Sequence, residues 1–591
     1  MTCTVLSRSL PVRHPAAWLL LLVTVCSPLA LNAQFYNGSQ VTFGKSRVQY
    51  NDFFWTYYRY DKFDTYFYLN GKELAIYAAE YADGHIHEIE LQLQSALDAK
   101  IQFIIFNNLS DLKQSNIGSE DDWEYYNTGG VTRIIGGKVM LYFDGDLNHF
   151  EEQIRAGVAT VILNQMMFGS GVGAQIKNNA LFTMPEWYFN GLISYISKGW
   201  NTEIDNIVRD AVLTGNYNKF SRLSGPSATY AGHSLWHYIA MKYGESTIPN
   251  IVYMARLSRN IEKGFTYVLS VEFSTLIKDW LEYYKSLYGN QAEGRYDPPG
   301  QPLNKRKNTD RTYTQLRISP DGSHVAYTYQ DLGVYKIFIQ DLQTGKKKRI
   351  FRGGYRLAER PDFSFPLLAW HPNGNILAIL VERKGECYLY LYDRGEHRFE
   401  KQILYNFQKI LDMSYSDDGQ LLVMSAYQKG QSDIFVYNIA SGSHEQLTND
   451  PYNDLNPRFV NRSKEIIFAS NRISDTVRFY QKVTPGTMSH NHDIFVYNYR
   501  AHSPLLKRIT ATPGTDEIQP MPWSGNYYAY LSNQNGIYNR FLARFDSAIS
   551  YIDTATHYRY FTTAYPVTNY SRSILQQDIS GMGGRIGDIL F

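Results

Sequence analysis

The chain has 591 residues, of which 44% are hydrophobic, 19% charged and 15% aromatic; that is material for about three to five domains with real cores and excludes a disordered chain. A formal charge of +2, from 58 basic and 56 acidic residues, argues against a nucleic-acid binder, which carries a basic excess or patch. The 49 Tyr against 3 Cys suit a β-rich extracytoplasmic protein that does not rely on disulfides.

Residues 1–33 read as a secretory signal. Arg8 and Arg13 precede the apolar run Ala16–Val25, and small residues follow as far as Ala33. The run is too short to span a bilayer. Val25 before Cys26 is too large for a lipobox. Cleavage after Ala33 leaves Cys387 as the only thiol, which rules out an intramolecular disulfide or a Cys-based metal site. No other run of about 18 apolar residues follows.

Residues 34–296 show a mixed α/β pattern. The aromatic cluster Tyr50–Tyr68 suits sheet and core packing or a binding surface. Strands are predicted at Thr65–Leu69, Ile101–Phe106 and Lys138–Phe143. Helices are predicted over Lys72–Ala99, with a break near Gly84, and over Leu147–Met167, where Phe150, Ile154, Val158, Val161, Ile162 and Met166 share one face. The Gly-rich stretch Gly169–Gly173 reads as a loop before a helix that opens at Pro185. Further helices fit Glu203–Thr214, His233–Tyr243 and Ser274–Leu287. Asp297–Arg311, rich in Pro, Gly and charge, is a linker.

Residues 312–591 change period to two and repeat. The turn pairs Asp321-Gly322, Asn373-Gly374 and Asp418-Gly419 each lie between apolar strands, a hairpin signal. A unit of about 40–50 residues holding several strands marks a propeller blade. Further units start near Leu455, with an insertion at Gln481–His490, and near Asp516. A sixth opens at Ile574 and is cut short at Phe591, after one strand. An incomplete sixth blade leaves a strand edge. Completion by the propeller's own first strand, completion by a partner and a longer gene product all remain open, and the last is the favoured expectation.

Ile318-Ser319-Pro320-Asp321-Gly322, the repeated Asp433–Asn438 and Asp493–Asn498 (both Asp-Ile-Phe-Val-Tyr-Asn), and the closing Leu447-Thr448 and Ile509-Thr510 resemble the TolB-type propeller, or WD-like PD repeat. The resemblance implies an all-β propeller of about six blades. It says little of function, since propellers serve many, and it leaves the turn residues structural.

The α/β region resembles the gluzincin metallopeptidases, the peptidase MA family. That resemblance rests on the order of elements and on Pro185-Glu186-Trp187-Tyr188-Phe189-Asn190-Gly191-Leu192-Ile193-Ser194-Tyr195, close to the family's Pro-x-Trp-x-x-Glu-Gly-x-x-x-Tyr. It implies a zinc site built from His-Glu-x-x-His and a Glu on a later helix. Asn190 stands where that Glu would be. Arg155, Ala156 and Ala159 stand where the His, Glu and His would be, and no His lies between His149 and His233 to restore the motif in another register. Metal ligation by His233 and His237, one helical turn apart, is the weak alternative to packed histidines.

The resemblances therefore imply an exported, catalytically dead peptidase-like domain joined to a propeller, with no cofactor and no catalytic residue. The expected role is a periplasmic or outer-membrane-associated scaffold that binds subunits of an envelope complex for assembly, secretion or uptake. The domain pair is similar to envelope proteins of Bacteroidetes-type bacteria. Two alternatives stand beside this reading: a zinc-dependent hydrolase with an unconventional site at His233 and His237, and a glycan- or peptide-binding protein acting alone.

Overall fold

A computed structural model describes residues 51–114, 134–135, 137–169, 184–300, 302–303, 311–354, 362–477, 485–486, 488–552, 556–582 and 584–591. The predicted signal (1–33), most of the Gly-rich loop and parts of the linker and of the fourth-blade insertion lie outside these residues.

The α/β region builds one five-stranded sheet from β1 (Thr56–Arg59), β2 (Phe63–Phe67), β3 (Ile101–Phe106), β4 (Ile134–Ile135) and β5 (Lys138–Tyr142), in the order β1-β2-β3-β5-β4. The pairs β2–β3 and β3–β5 are parallel. That is why Ile-Gln-Phe-Ile-Ile-Phe reads as a nearly continuous apolar run: both faces of the central strand are covered. Helix α1 (Lys72–Leu93) and short α2 (Leu109–Leu112) precede α3 (Leu147–Phe168). After them come α4 (Glu186–Lys198), α5 (Thr202–Leu213), a 3₁₀ turn (Asn216–Arg222), α6 (Gly225–Tyr243), α7 (Thr247–Ser258), α8 (Ile261–Leu269) and α9 (Phe273–Ala292).

Three expectations change here. Helix α1 runs unbroken through Gly84, because that glycine lies on the exposed face with open space around its Cα; one exposed helical Gly costs only about 1 kcal/mol. The helix also stops at Leu93, where Gln94 turns left-handed at φ 50°. Helix α6 begins at Gly225 rather than His233, with Pro226 in its first turn. Helices α4 and α6 cross so closely that a Cβ on Gly232 would lie 1.7 Å from the Trp187 carbonyl oxygen, and one on Gly191 would lie 2.7 Å from the Gly232 backbone. Only glycine fits at that crossing.

The second region forms five four-stranded antiparallel sheets followed by a two-stranded one, each sheet made of consecutive strands. The first strands of the six blades are Thr312–Ile318, Leu367–Trp370, Lys409–Tyr415, Asp454–Val460, Glu517–Ser524 and Ile574–Ser580. Apolar layers form between neighbours: Leu368 and Ile379 with Ala326 and Ile337, Phe365 and Leu380 with Met413 and Met424, Val423 and Ile434 with Phe468 and Phe495. Blades cover one another's faces, as a radial array requires. Gly322, Gly374 and Gly419 take φ of 70°, 71° and 73°, the left-handed conformation for which these turns select glycine. Cys387 is buried, and burial pushes its thiol up to about 12.

The sixth unit corrects the expectation of a single strand. It is a hairpin of Ile574–Ser580 and Arg585–Leu590. It also joins the ring: the Leu316 and Ile318 amides donate to Gln576 Oε1 (2.6 Å) and Asp578 Oδ2 (2.7 Å), and Gln577 bonds Gln519 of the fifth blade through two contacts. The first blade therefore meets the sixth without sharing a strand with it.

Candidate functional site

Helices α3 and α4, on which the sequence resemblance places a zinc site, pack against each other. Ala156 and Ala159 on α3 are fully buried. Arg155 spans to α4 and donates from Nη2 to the Ile196 carbonyl at 2.5 Å. Asn190 is half-buried on α4. Glu186 bonds the Gly225 amide at the start of α6, so this carboxylate joins two helices. Further up α3, Glu151 is buried against the Tyr77 hydroxyl, and burial pushes it up to about 7.

His233 and His237 lie one turn apart on α6, facing aromatic rings. His233 is fully buried, its Nδ1 2.9 Å from Ser194 Oγ, and burial followed by the neighbouring His237 pushes it down to about 3. His237 stacks on Trp200 with ring centroids 4.2 Å apart, and burial takes it to about 4. Both imidazoles are neutral. Among the described residues, the one group of three side chains close enough to share a cation is elsewhere: Asp433, Asp450 and Asp454, between blades three and four. There the guanidinium of Arg472 supplies the positive charge. Its Nη2 donates to both Asp454 oxygens at 2.7 Å and its Nη1 lies 3.3 Å from Asp450 Oδ2.

The propeller has two unlike faces. The α/β domain sits on the end that carries the turns between second and third strands. Ser432 bonds the Gly145 carbonyl, Asn533 bonds Thr202 at 2.9 Å, and Arg295 reaches the Asn535 carbonyl at 2.7 Å. The contact is rich in buried charge. Lys409 pairs with Asp362 at 3.1 Å beside Glu382 and Asp144. Glu382 accepts a short hydrogen bond from Ser110 of the α/β domain, and burial pushes it up to about 7. Asp146 accepts from Asn453 at 2.7 Å. His149 pairs with Asp144 at 2.5 Å; burial alone would lower it, but Asp144 raises it to about 8. The partners that join the two domains, Ser110 with Glu382 and Asp146 with Asn453, are separated by 272 and 307 positions, so no local motif announces them.

The opposite face carries the turns between first and second strands, including Asp321, Asn373 and Asp418, and no part of the α/β domain touches them among the described residues. Asp321 accepts from Ser319 Oγ (2.5 Å) and the Ser323 amide (3.1 Å); Asp418 accepts from Ser416 Oγ (2.5 Å) and the Gln420 amide (3.0 Å). The shared geometry makes these side chains turn-formers, while their neighbours Asp417 and Arg462 are exposed. Buried charge links the inner strands of the blades. Arg317 of blade one reaches Asp412 of blade three at 3.1 Å, and Arg458 of blade four reaches the same carboxylate at 2.8 Å. Blades one and three are not neighbours, so the first pair spans the inner strand of blade two, whose Leu368 carbonyl Arg317 also bonds. Burial would raise Asp412, but Arg458 and Arg317 hold it below its ordinary value.

No family model matches the chain. The Tol-Pal system protein TolB of Helicobacter hepaticus is 29% identical over 142 residues, 20% of this chain and 34% of that protein; the chain thus spans about a third of this curated relative's length. Similar solved structures include TolB from Acinetobacter baumannii (16% identity, 39% of this chain and 52% of that one, TM-score 0.31). The putative TolB from Agrobacterium tumefaciens is another (15% identity, 48% and 91%, TM-score 0.33). The chain is thus similar in part to a TolB protein, and its second region is an all-β array of antiparallel sheets with the pattern of a propeller, here joined to an α+β domain. No described helix is long and apolar enough to cross a membrane.

Proposed function

We propose that this chain is a non-catalytic, protein-binding scaffold of the bacterial envelope, exported by residues 1–33. Its α/β domain is a degenerate gluzincin-like fold that anchors the propeller rather than a peptidase. The observation that carries this reading is the asymmetry of the ring: one face is covered by the α/β domain through buried charge, and the other presents the turns between first and second strands. A rim of exposed turns suits a protein surface. The relative named as a Tol-Pal system protein supports an envelope setting, and the chemistry at Arg155, Ala156, Ala159 and Asn190 supports a non-catalytic role, since none of these is a zinc ligand of the peptidase type.

The test is a pull-down from envelope extracts with the purified chain and with the double charge reversal Asp417→Lys, Arg462→Glu. A stable protein partner should be captured by the first and lost by the second. Capture of no partner, or equal capture by both, would overturn the reading. Metal analysis adds a second route to failure: stoichiometric zinc that disappears in His233→Ala or His237→Ala would restore a hydrolase.

A further inference from the structure

Strands β2 and β3 are parallel neighbours, but the chain leaves them toward opposite faces of their sheet. After β2 it enters α1, whose Leu74 and Tyr77 pack with Phe63 and Phe103. After β3 it enters α2, whose Leu112 packs with Tyr66 and Ile104. Where neighbouring connections part in this way, a crevice opens beyond the carboxyl ends of the strands, and open α/β sheets bind ligands there. In this chain the crevice is a cleft of about 680 Å³ between the α/β domain and blades two and three, within the range of about 300–1,000 Å³ for small-molecule sites.

The domain side is built on Tyr68, just past β2. Its hydroxyl donates to Asp111 Oδ2 at 2.5 Å and accepts from the Asn107 amide at 2.8 Å. Asn107 Nδ2 donates to the Leu69 carbonyl at 2.8 Å. The other end of the same carboxamide is unmet: Asn107 is 4% exposed, and its Oδ1 is buried with no hydrogen-bond partner. Buried acceptors are nearly always satisfied, so this one, on the wall of a cleft, marks a place for a ligand's donor. Asn70, on the same wall, is exposed.

The propeller side is formed by residues 405–408, which link blades two and three, and by the turn at Gln428 and Lys429 in blade three. Gln428 donates to the Asn406 carbonyl, and the Lys429 amide donates to Gln408 Oε1 at 2.8 Å, so this side is held by its own hydrogen bonds. Phe407 is buried, its ring centroid 5.1 Å from that of His444. Tyr405, by contrast, is 76% exposed.

The lining is rich in carboxamides and poor in charge. Asn and Gln side chains both donate and accept, as sugar hydroxyls do. Asp111 is already occupied by Tyr68, Asn108 and Gln114, which leaves Asp52 and Lys429 to offset each other. An anionic ligand would need a surplus of cations. An exposed aromatic ring offers an apolar face for the C–H side of a sugar. We propose that this cleft binds a neutral oligosaccharide, with Tyr405 as the stacking face and the carboxamides of Asn70, Asn107 and Asn406 as partners for its hydroxyls. The cleft lies on the domain side of the ring, away from the free turn face, so this reading and that of a protein-binding scaffold can fail separately.

The probe is an array of short neutral glucans, mannans and chitin oligomers beside sulfated and uronic-acid glycans, read with the purified full chain. Saturable binding of at least one neutral oligosaccharide is expected, with slowed amide exchange in 405–408 and 107–108. Tyr405→Ala should weaken that binding about tenfold, Tyr405→Phe should keep it because the ring face remains, and Asn406→Ala should weaken it. All three side-chain changes are at exposed positions, and circular dichroism should stay unchanged. Binding of charged glycans only, binding that neither Tyr405→Ala nor Asn406→Ala alters, equal loss in Tyr405→Ala and Tyr405→Phe, or no binding anywhere on the array would overturn the proposal.

Discussion

The two halves of the molecule gather their stability differently. The α/β domain buries most of its apolar side chains in one large cluster that runs from Phe63 to Tyr288, with a smaller one around Tyr66, Ile104, Phe106 and Met140 on the other face of its sheet. The propeller divides the same chemistry into layers, each shared by two blades, and threads buried ion pairs between them. In the larger core small side chains such as Ala156 and Ala159 serve as packing between helices. The ring differs where a charge sits between blades: there the polar residues are part of the joint.

The largest expected effect tests that contrast directly. Arg472→Ala removes the one cation beside Asp450 and Asp454, both buried, and should destabilise the propeller by about 3–5 kcal/mol. Calorimetry should show the fall in the melting transition, and a loss under about 1 kcal/mol would mean that the carboxylates are neutral without it. In the α/β domain the matching test is steric. Gly232→Ala drives a Cβ into the Trp187 carbonyl and should cost about 1–3 kcal/mol, read as a lower denaturation midpoint. Unchanged stability would show that α4 and α6 can separate freely. The smallest effect concerns the contact between the halves. His149 is raised to about 8, above its unfolded value of about 6.5, so its contribution is present below pH about 6.5 and is lost as pH rises through about 8. Glu382, raised to about 7, loses its contribution at lower pH, between about 4.5 and 7, which leaves the window above to His149. The melting temperature should therefore fall between pH about 6.5 and 8.5, and His149→Gln should flatten that slope. A slope unchanged in the variant would remove His149 from the account.

The ring was readable in the sequence because each blade repeats its own local chemistry: an Asp-Gly or Asn-Gly turn needs a left-handed glycine wherever it occurs, and Asp-Ile-Phe-Val-Tyr-Asn forms a third strand in blades three and four alike. The motif helix at Pro185 was readable for the same reason. Helices α7 and α8 were not, since Pro249, Asn250, Lys263 and Gly264 break up their apolar spacing and only tertiary packing of Ile251, Val252 and Phe265 fixes them. Helix α1 misled in the other direction, as Gly84 looks like a break until its exposed position is known. The domain contact was illegible in principle. Asp146 and Asn453 are each unremarkable in their own segments, and the meaning of either depends on the other.

The charge cluster on the inner strands has a consequence for how the ring comes apart. Arg317 belongs to the first blade, bonds the Leu368 carbonyl of the second at 3.2 Å and pairs with Asp412 of the third, which in turn holds Arg458 of the fourth. Four spokes thus meet at one hub. Repeat proteins that touch only their nearest neighbours can fray from one end. Here, loosening the third blade would leave Arg317 and Arg458 without their shared carboxylate, so blades one, three and four are tied through one buried charge.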